Sequence, residues 1–337
     1  MIVKGMEYSE LVILSFCSFK SKTMIQRVRF KIPKLQYMRG KRSFGVKVDI
    51  NEGTKILLVL KEPLPSVLPT VEFTSKVKLN NELEFMGKFK LRPNESKNLH
   101  FIVEVSQIQR AMEKAFQEHL TKLFRYTGPN ELKLDVMRCG DNLPEIINVS
   151  NSCIFGQTID IRRLEMFLAK YPNLKSLNMS ATIVNPDGDL LESSRIFQVP
   201  NICIQSQWGF DLLRKFTGRN LALSNIKLNT SDIILFLNKW VNSERYQELE
   251  TLCIGLEDGR FFNVQLITTA LVMDTYNTAN LTSWPETVPY DSKITYRRKV
   301  DIFIRNHGTK RIRRKSDNKM AFLQCTLDCF RFIVYNE

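Results

Sequence analysis

The sequence of 337 residues contains no apolar stretch long enough to cross a lipid bilayer. Its longest aliphatic run, Ile56 to Leu60, is far shorter than the ~18 apolar residues of a membrane-spanning helix. Met1 to Glu10 also lacks the pattern of a signal peptide. We therefore expect a protein without a membrane partner, located in the cytoplasm, the nucleus or both.

Residues that carry catalysis or bind metals are few. There are three histidines, His100, His119 and His307, and they fall in three different predicted elements. The sequence has no nucleophile elbow, phosphate-binding loop, dinucleotide fingerprint or zinc-protease motif. The seven cysteines are an odd number scattered along the chain, and no second Cys or His pair accompanies Cys325 and Cys329. These patterns predict a protein that is not an enzyme and uses no metal or cofactor.

Positive charge is concentrated in two blocks. Residues 20–47 hold ten Lys or Arg and no acidic residue, and residues 293–319 hold eleven against two Asp, within a net charge of +14. Such blocks can bind phosphate backbones or acidic partners. The basic residues alternate with apolar ones such as Val28, Ile32 and Val46, which favours half-buried strands with a solvated face.

Changes of hydrophobic period divide the chain into four segments. They predict a short helical segment at 1–27, an antiparallel β-rich segment at 28–98, a region at 99–290 where helices alternate with short strands, and a C-terminal β meander at 291–337. Within the third segment, Ser106, Asp160 and either Thr230 or Ser231 are predicted helix caps, while His119 and Trp240 are predicted core residues. The predicted fold class is α/β, with α+β character overall.

The apolar strand centres of the third segment recur at regular steps. They lie 20, 23, 25, 21 and 29 residues apart, at Leu134, Ile154, Leu177, Ile202, Leu223 and Leu252. This is the period range of leucine-rich repeats, and an ordinary α/β domain whose elements recur at this length is the alternative. Both interpretations predict a parallel sheet covered by helices.

Alternation along these strands predicts a binding surface. If the leucines face the helices, the intervening side chains point the other way. We therefore expect a face of small and polar groups that captures a target protein. Its predicted members are Ser176, Asn178, Thr251, Lys133 and Asp135.

Four stretches of the sequence resemble the nematode-expanded F-box proteins that carry an F-box-associated domain of the second type. Tyr8 to Ser18, followed by Lys20-Ser-Lys22, resembles the second half of their F-box. The other stretches, in residues 220–337, are similar to the F-box-associated domain: Thr230 to Asn242 with Leu249 to Leu252, Val300 to Gly308, and Phe330 to Tyr335. Family F-boxes open with a Leu-Pro segment and a first helix that this sequence lacks, so residues 1–27 are expected to form a partial F-box.

The resemblance implies a non-catalytic substrate-recognition subunit of a cullin-type ubiquitin ligase. Leu11 and Leu14 would contact the Skp-type adaptor, which joins the chain to the cullin, and the remainder would bind an unknown protein substrate. We expect the face that carries Leu11 and Leu14 to be exposed until the adaptor covers it. The alternatives are a nucleic-acid-binding protein that uses the two basic blocks, or a repeat-like scaffold that binds proteins outside any ligase.

Overall fold

The computed structural model describes residues 2–50, 53–62, 71–79, 83–93, 99–136, 143–184, 193–205, 209–275, 284–290, 300–305 and 308–335. It divides the chain into two compact units, residues 1–152 and 153–337. Helices and mixed sheets together make the fold α/β, as the sequence predicted. None of the helices within the described ranges is long and apolar enough to span a membrane.

The described residues of the first unit form three α-helices: α1 (Tyr8–Cys17), α2 (Phe19–Val28) and α3 (Arg110–Phe124). Its strands are β1 (Lys34–Arg39), β2 (Ser43–Ile50), β3 (Gly53–Lys61), β4 (Val71–Leu79), β5 (Leu83–Pro93), β6 (Leu99–Glu104), β7 (Asn130–Asp135) and β8 (Val149–Phe155), which reaches the boundary between the units. The strand order is β7-β1-β2-β3-β6-β5-β4. The pairs β7/β1 and β3/β6 are parallel, and β1/β2, β2/β3, β6/β5 and β5/β4 are antiparallel.

Local side-chain bonds set the helix boundaries of this unit. Ser18 caps α2, because its hydroxyl accepts a hydrogen bond from the Ser21 amide at 3.0 Å. The predicted strand from Val28 is wrong at its start, since α2 continues through Val28 and β1 begins at Lys34. The predicted Ser106 cap is also wrong, because α3 begins after Gln109.

Where the structure describes the second unit, it contains four α-helices: α4 (Ile161–Lys170), α5 (Gly209–Lys215), α6 (Thr230–Val241) and α7 (Val264–Thr269). Its strands are β9 (Thr158–Asp160), β10 (Ser176–Met179), β11 (Thr182–Val184), β12 (Asn201–Gln205), β13 (Asn220–Ile226), β14 (Thr251–Leu256), β15 (Asp274–Thr275), β16 (Thr287–Tyr290), β17 (Val300–Phe303), β18 (Thr309–Arg313), β19 (Met320–Cys325) and β20 (Cys329–Tyr335). Two short 3₁₀ helices, Ile2–Gly5 in the first unit and Arg195–Gln198 in the second, complete the described helical structure.

Strand β14 joins two kinds of pairing in the second unit. It is parallel to β13, which continues to β12 and β10 in parallel, and antiparallel to β20, which continues to β19 and β18 as a meander. The predicted meander is confirmed for these last strands but not for β17, which forms a separate hairpin with β16. Parallel strands alternate with helices because α4, α5 and α6 fall between them in the chain.

Helix α6 carries the packing centre of the second unit. Asn229 caps it, so the predicted cap at Thr230 or Ser231 is wrong, whereas the predicted Asp160 cap of α4 is confirmed at 2.8 Å from the Arg162 amide. Trp240 is fully buried, as predicted, and its ring meets Phe332 edge-on with centroids 5.0 Å apart. The guanidinium of Arg314 lies 5.4 Å from the centre of the Trp240 ring. This arrangement fixes α6 to the turn between β18 and β19.

Candidate functional site

The predicted adaptor-contact residues occupy different environments on α1. Leu11 is fully buried, whereas Leu14 is half-buried. The expectation that both are exposed is wrong for Leu11, because α1 packs against β3 and β4 of its own unit and that contact covers the side chain. Apolar side chains of the neighbouring α2 remain open instead, with Phe19 82% and Met24 40% exposed.

A buried hydrogen bond attaches α1 to α3. The Ser15 hydroxyl donates to the Val12 carbonyl at 2.6 Å, and it lies 2.7 Å from Nε2 of His119. Since that hydroxyl proton is used, His119 donates through Nε2–H. Burial, and then the charges of Lys22 and Lys122, lower the pKa of His119 to about 3. The prediction that His119 is a core residue is confirmed, and the Ser–His contact is a structural bond with both side chains buried.

The predicted target-binding face is largely internal. Ser176 is fully buried and Thr251 is 4% exposed, so the expectation that they face a target is wrong. They lie in one lateral row with Asn201 and Asn220 on neighbouring parallel strands. Asn220 donates to the Asn201 side chain at 2.7 Å, and Thr251 donates to the Asn220 side chain at 2.6 Å. We call these four residues the polar ladder, and the bonds that join Asn201, Asn220 and Thr251 explain why those three polar side chains are buried here.

The next row of the same face is partly open. Asn178 is half-buried and is paired in register with Cys203, which is followed by Ala222 and Cys253 on the next strands. Beyond Cys253, a cluster of buried apolar residues packs over the sheet: Trp284, Val288, Ile302, Ile304, Phe322 and Ile333. The β16/β17 hairpin therefore covers the part of the face that β14 contributes, and only Asn178 of the three predicted residues in this unit retains partial exposure.

Lys133 and Asp135 belong to the first unit. They lie on β7, where Lys133 is paired in register with Met38 of β1, and both are half-buried. Each also takes part in a polar or electrostatic interaction. Lys133 and Asp135 therefore lie at the surface of the first unit. Ser176, Asn178 and Thr251 lie in the second unit.

Two buried carboxylates in the first unit are paired with cations. Glu113 lies 2.7 Å from Arg39 and accepts a bond from the Glu145 amide, and Glu131 pairs with Lys34 and Gln36. Burial raises the pKa of both carboxyls, and the neighbouring cations oppose that shift. Because each charge is matched within the fold, these groups act as internal ion pairs.

Two arginines of the C-terminal basic block form contacts within the second unit. Arg305 donates to the Trp284 carbonyl at 3.1 Å, and Arg311 forms two bonds to Asp274 while its guanidinium lies 4.9 Å from the Trp284 ring centre. Residues 291–299 and 306–307, including His307, lie outside the described residues. Arg305 and Arg311 therefore hold the segment that leads into the β16/β17 hairpin in place.

The first unit contains a cleft of about 760 Å³ that the sequence interpretation missed. It is lined by two connecting segments, 29–33 after α2 and 124–128 at the end of α3. These segments meet because β1 and β7, the strands they enter, are parallel neighbours, with Gln36 opposite Glu131. The excess of Lys and Arg in residues 20–47 was visible in the sequence. That these residues lie near Arg125 depends on the fold and could not be read from the local sequence.

No group of three or more His, Cys, Asp or Glu within the described ranges is arranged to hold a metal ion. Comparison with known proteins finds no matching family model, no matching curated protein and no matching solved structure.

Proposed function

We propose that this chain is a non-catalytic substrate-recognition subunit of a cullin-type ubiquitin ligase. The observation that supports the proposal most directly is the helix pair α1–α2, which comprises the stretch that resembles an F-box. In this pair, Leu11 secures α1 to the sheet of the first unit while Leu14, Phe19 and Met24 retain exposure. The adaptor contact is therefore assigned to Leu14 and α2, and Leu11 acts as an internal anchor.

The open side of α2 has the composition of a protein contact. Lys20, Met24 and Arg27 are all exposed and recur at i, i+4 and i+7, which places them on one stripe of the helix. Phe19, at the first helical position, adds a nearly fully exposed aromatic ring. A large apolar side chain surrounded by cations fits a partner surface with an apolar pocket and an acidic rim.

The test is capture of a purified Skp-type adaptor and cullin by the intact chain. Wild-type protein should retain both, and a double variant, Phe19→Asp with Met24→Asp, should weaken retention about tenfold or more, because each removes an apolar anchor. The matched control is Met166→Asp with Leu235→Asp, since both residues are exposed on helices of the second unit. This control should retain the adaptor fully.

Two results would contradict the proposal. One is failure of the wild-type chain to retain the adaptor although circular dichroism shows that it is folded. The other is equal retention by the α2 double variant and wild type, which would remove α2 from any adaptor contact.

A further inference from the structure

We propose that the cleft between segments 29–33 and 124–128 binds an acidic peptide segment of a partner protein. The proposal deepens the function above, on which its biological role rests, by naming the class of target. We call this site the basic cleft. Its volume of about 760 Å³ lies within the range of ligand sites.

The rim of the basic cleft carries three cations. Arg29, Lys31 and Arg125 line it, and all three are exposed. Among the residues that the structure describes, none of these three side chains forms an ion pair, unlike Arg39, Arg311 and Arg314. The nearest carboxylate in the sequence of these segments, Glu131, is buried and paired with Lys34. The cleft therefore presents positive charge that its own lining leaves uncompensated.

Backbone conformation at two of these positions favours a role for the side chains. Arg29 and Arg125 each follow a helix in the left-handed conformation, with φ of 57° and 51°. Glycine is the residue that adopts this conformation without strain, and any residue with a Cβ atom is disfavoured there. A cation at a helix C-terminus gains some stabilisation from the helix dipole. That gain accounts for one cation at each helix end but not for Lys31, which lies in neither helix.

The floor of the basic cleft is apolar and packs against Tyr8. Phe30, Ile32 and Pro33 line it, and Tyr8 packs against both Phe30 and Phe124 with ring centroids 5.9 Å apart. The Tyr8 hydroxyl also donates to the Lys31 carbonyl at 3.2 Å. An occupant with carboxylates spaced by apolar side chains would match the cationic rim and this floor at once.

A peptide fits these contacts better than a single-stranded nucleic acid. Nucleic acids bind such grooves by stacking their bases on aromatic faces. Here Phe124 and Tyr126 are 4% and 7% exposed, and the Tyr126 hydroxyl donates to the Pro129 carbonyl at 2.7 Å. Phe30 is half-buried and meets Tyr8 edge-on, so the described lining offers one partly open ring rather than a series of ring faces, and the cations and the apolar floor supply the main contacts to the ligand.

The test measures binding of a fluorescently labelled peptide of alternating Glu and Leu to the intact chain by anisotropy. The variant combines Arg29→Asn, Lys31→Gln and Arg125→Asn, because Asn accepts the left-handed conformation of the two arginines. A control variant with the same change in net charge combines Lys41→Gln, Lys114→Gln and Lys227→Gln, all exposed positions outside the cleft lining.

The cleft variant should weaken peptide binding about tenfold, because three exposed ion pairs are each worth only a few-fold in affinity. The control variant should stay close to wild type, and added salt should weaken wild-type binding more than binding by the cleft variant. Equal losses in both variants would overturn the proposal, since net charge alone would then explain binding. Tighter binding of labelled oligouridine, lost in the cleft variant, would also overturn it in favour of a nucleic-acid site.

Adaptor capture by the cleft variant separates this inference from the proposed function. We expect the variant to retain the adaptor while it loses the peptide. Wild-type protein that retains the adaptor but binds no acidic peptide would refute the basic cleft and leave the ligase proposal standing. Wild-type protein that binds the peptide in the cleft but retains no adaptor would refute the ligase proposal alone.

Discussion

Replacement of Arg314 should destabilise the second unit far more than its sequence position, in a basic turn, suggests. The side chain is 3% exposed and contacts three elements. It donates two bonds to Asp317, at 2.9 and 2.5 Å, and one to the Gln247 carbonyl at 3.2 Å, and it covers the Trp240 ring. The neighbouring Lys315 amide bonds to the Val241 carbonyl, so the turn and the end of α6 are joined at backbone level as well.

The magnitude follows from these contacts. A desolvated cation over tryptophan contributes ~2 kcal/mol, and a hydrogen bond from a charged group contributes ~1.5–3 kcal/mol. The Asp317 bonds count for less because that carboxylate is 39% exposed and water can replace the arginine. We therefore expect Arg314→Met, which keeps most of the side-chain volume, to lower the free energy of unfolding by ~2–4 kcal/mol.

Tryptophan fluorescence during urea unfolding measures this change in the intact chain. The three tryptophans, Trp208, Trp240 and Trp284, all lie within residues 153–337, so their emission reports the second unit. A double-mutant cycle with Trp240→Phe should give a coupling energy of ~1 kcal/mol between ring and guanidinium. An unchanged midpoint for Arg314→Met, or a coupling energy of zero, would refute the reasoning.

Three further predictions concern buried polar groups. The pKa of His119 falls from its ordinary 6.5 to about 3 in the folded chain, so the unfolded chain binds more protons between these values. The free energy of unfolding should therefore be highest above pH 6.5 and decline as pH falls toward 3, by up to ~1.4 kcal/mol per pH unit, and His119→Gln should flatten that slope in circular dichroism. Asn220→Leu should cost ~1–3 kcal/mol by tryptophan fluorescence, because it leaves polar neighbours without partners, and full stability would argue against the polar ladder. Thr251→Arg should unfold the second unit, whereas Asn178→Arg should leave it folded, as tryptophan fluorescence would show. If both variants unfold, or both stay folded, the two positions do not differ in burial as described.

The sequence predicted the positions of the strands better than it predicted which face of each strand is buried. Apolar periodicity located the strands around Leu177, Ile202, Leu223 and Leu252, since a strand core is a local pattern. Alternation alone implied that Ser176 faces solvent, but a polar side chain can be buried when a neighbouring strand offers a partner. For Thr251 that partner is Asn220, and Ser176 lies in register with Asn201 in the same row of the sheet.

The two candidate sites depended on contacts between distant parts of the sequence. Leu11 was expected to be exposed because the helix that carries it is short, and nothing in its own sequence indicates that β3 and β4 cover it. The basic cleft forms because Gln36 and Glu131, 95 residues apart, lie side by side on parallel strands. The excess of positive charge in residues 20–47 was visible in the sequence. Arg29 and Lys31 lie near Arg125 only because β1 and β7 pair.

The polar ladder distinguishes between strand registers that hydrophobicity treats as equal. In the observed register Asn201 lies opposite Asn220 and Ile202 opposite Leu221. A slip of two residues would keep apolar side chains on the helix side, with Ile202 opposite Leu223, but it would set Asn201 against Ala222. Each buried amide left without a hydrogen-bond partner in this way would lower the stability of the fold by ~1–3 kcal/mol. The ladder therefore makes the observed register lower in free energy than slipped registers that the alternation of apolar residues alone would allow.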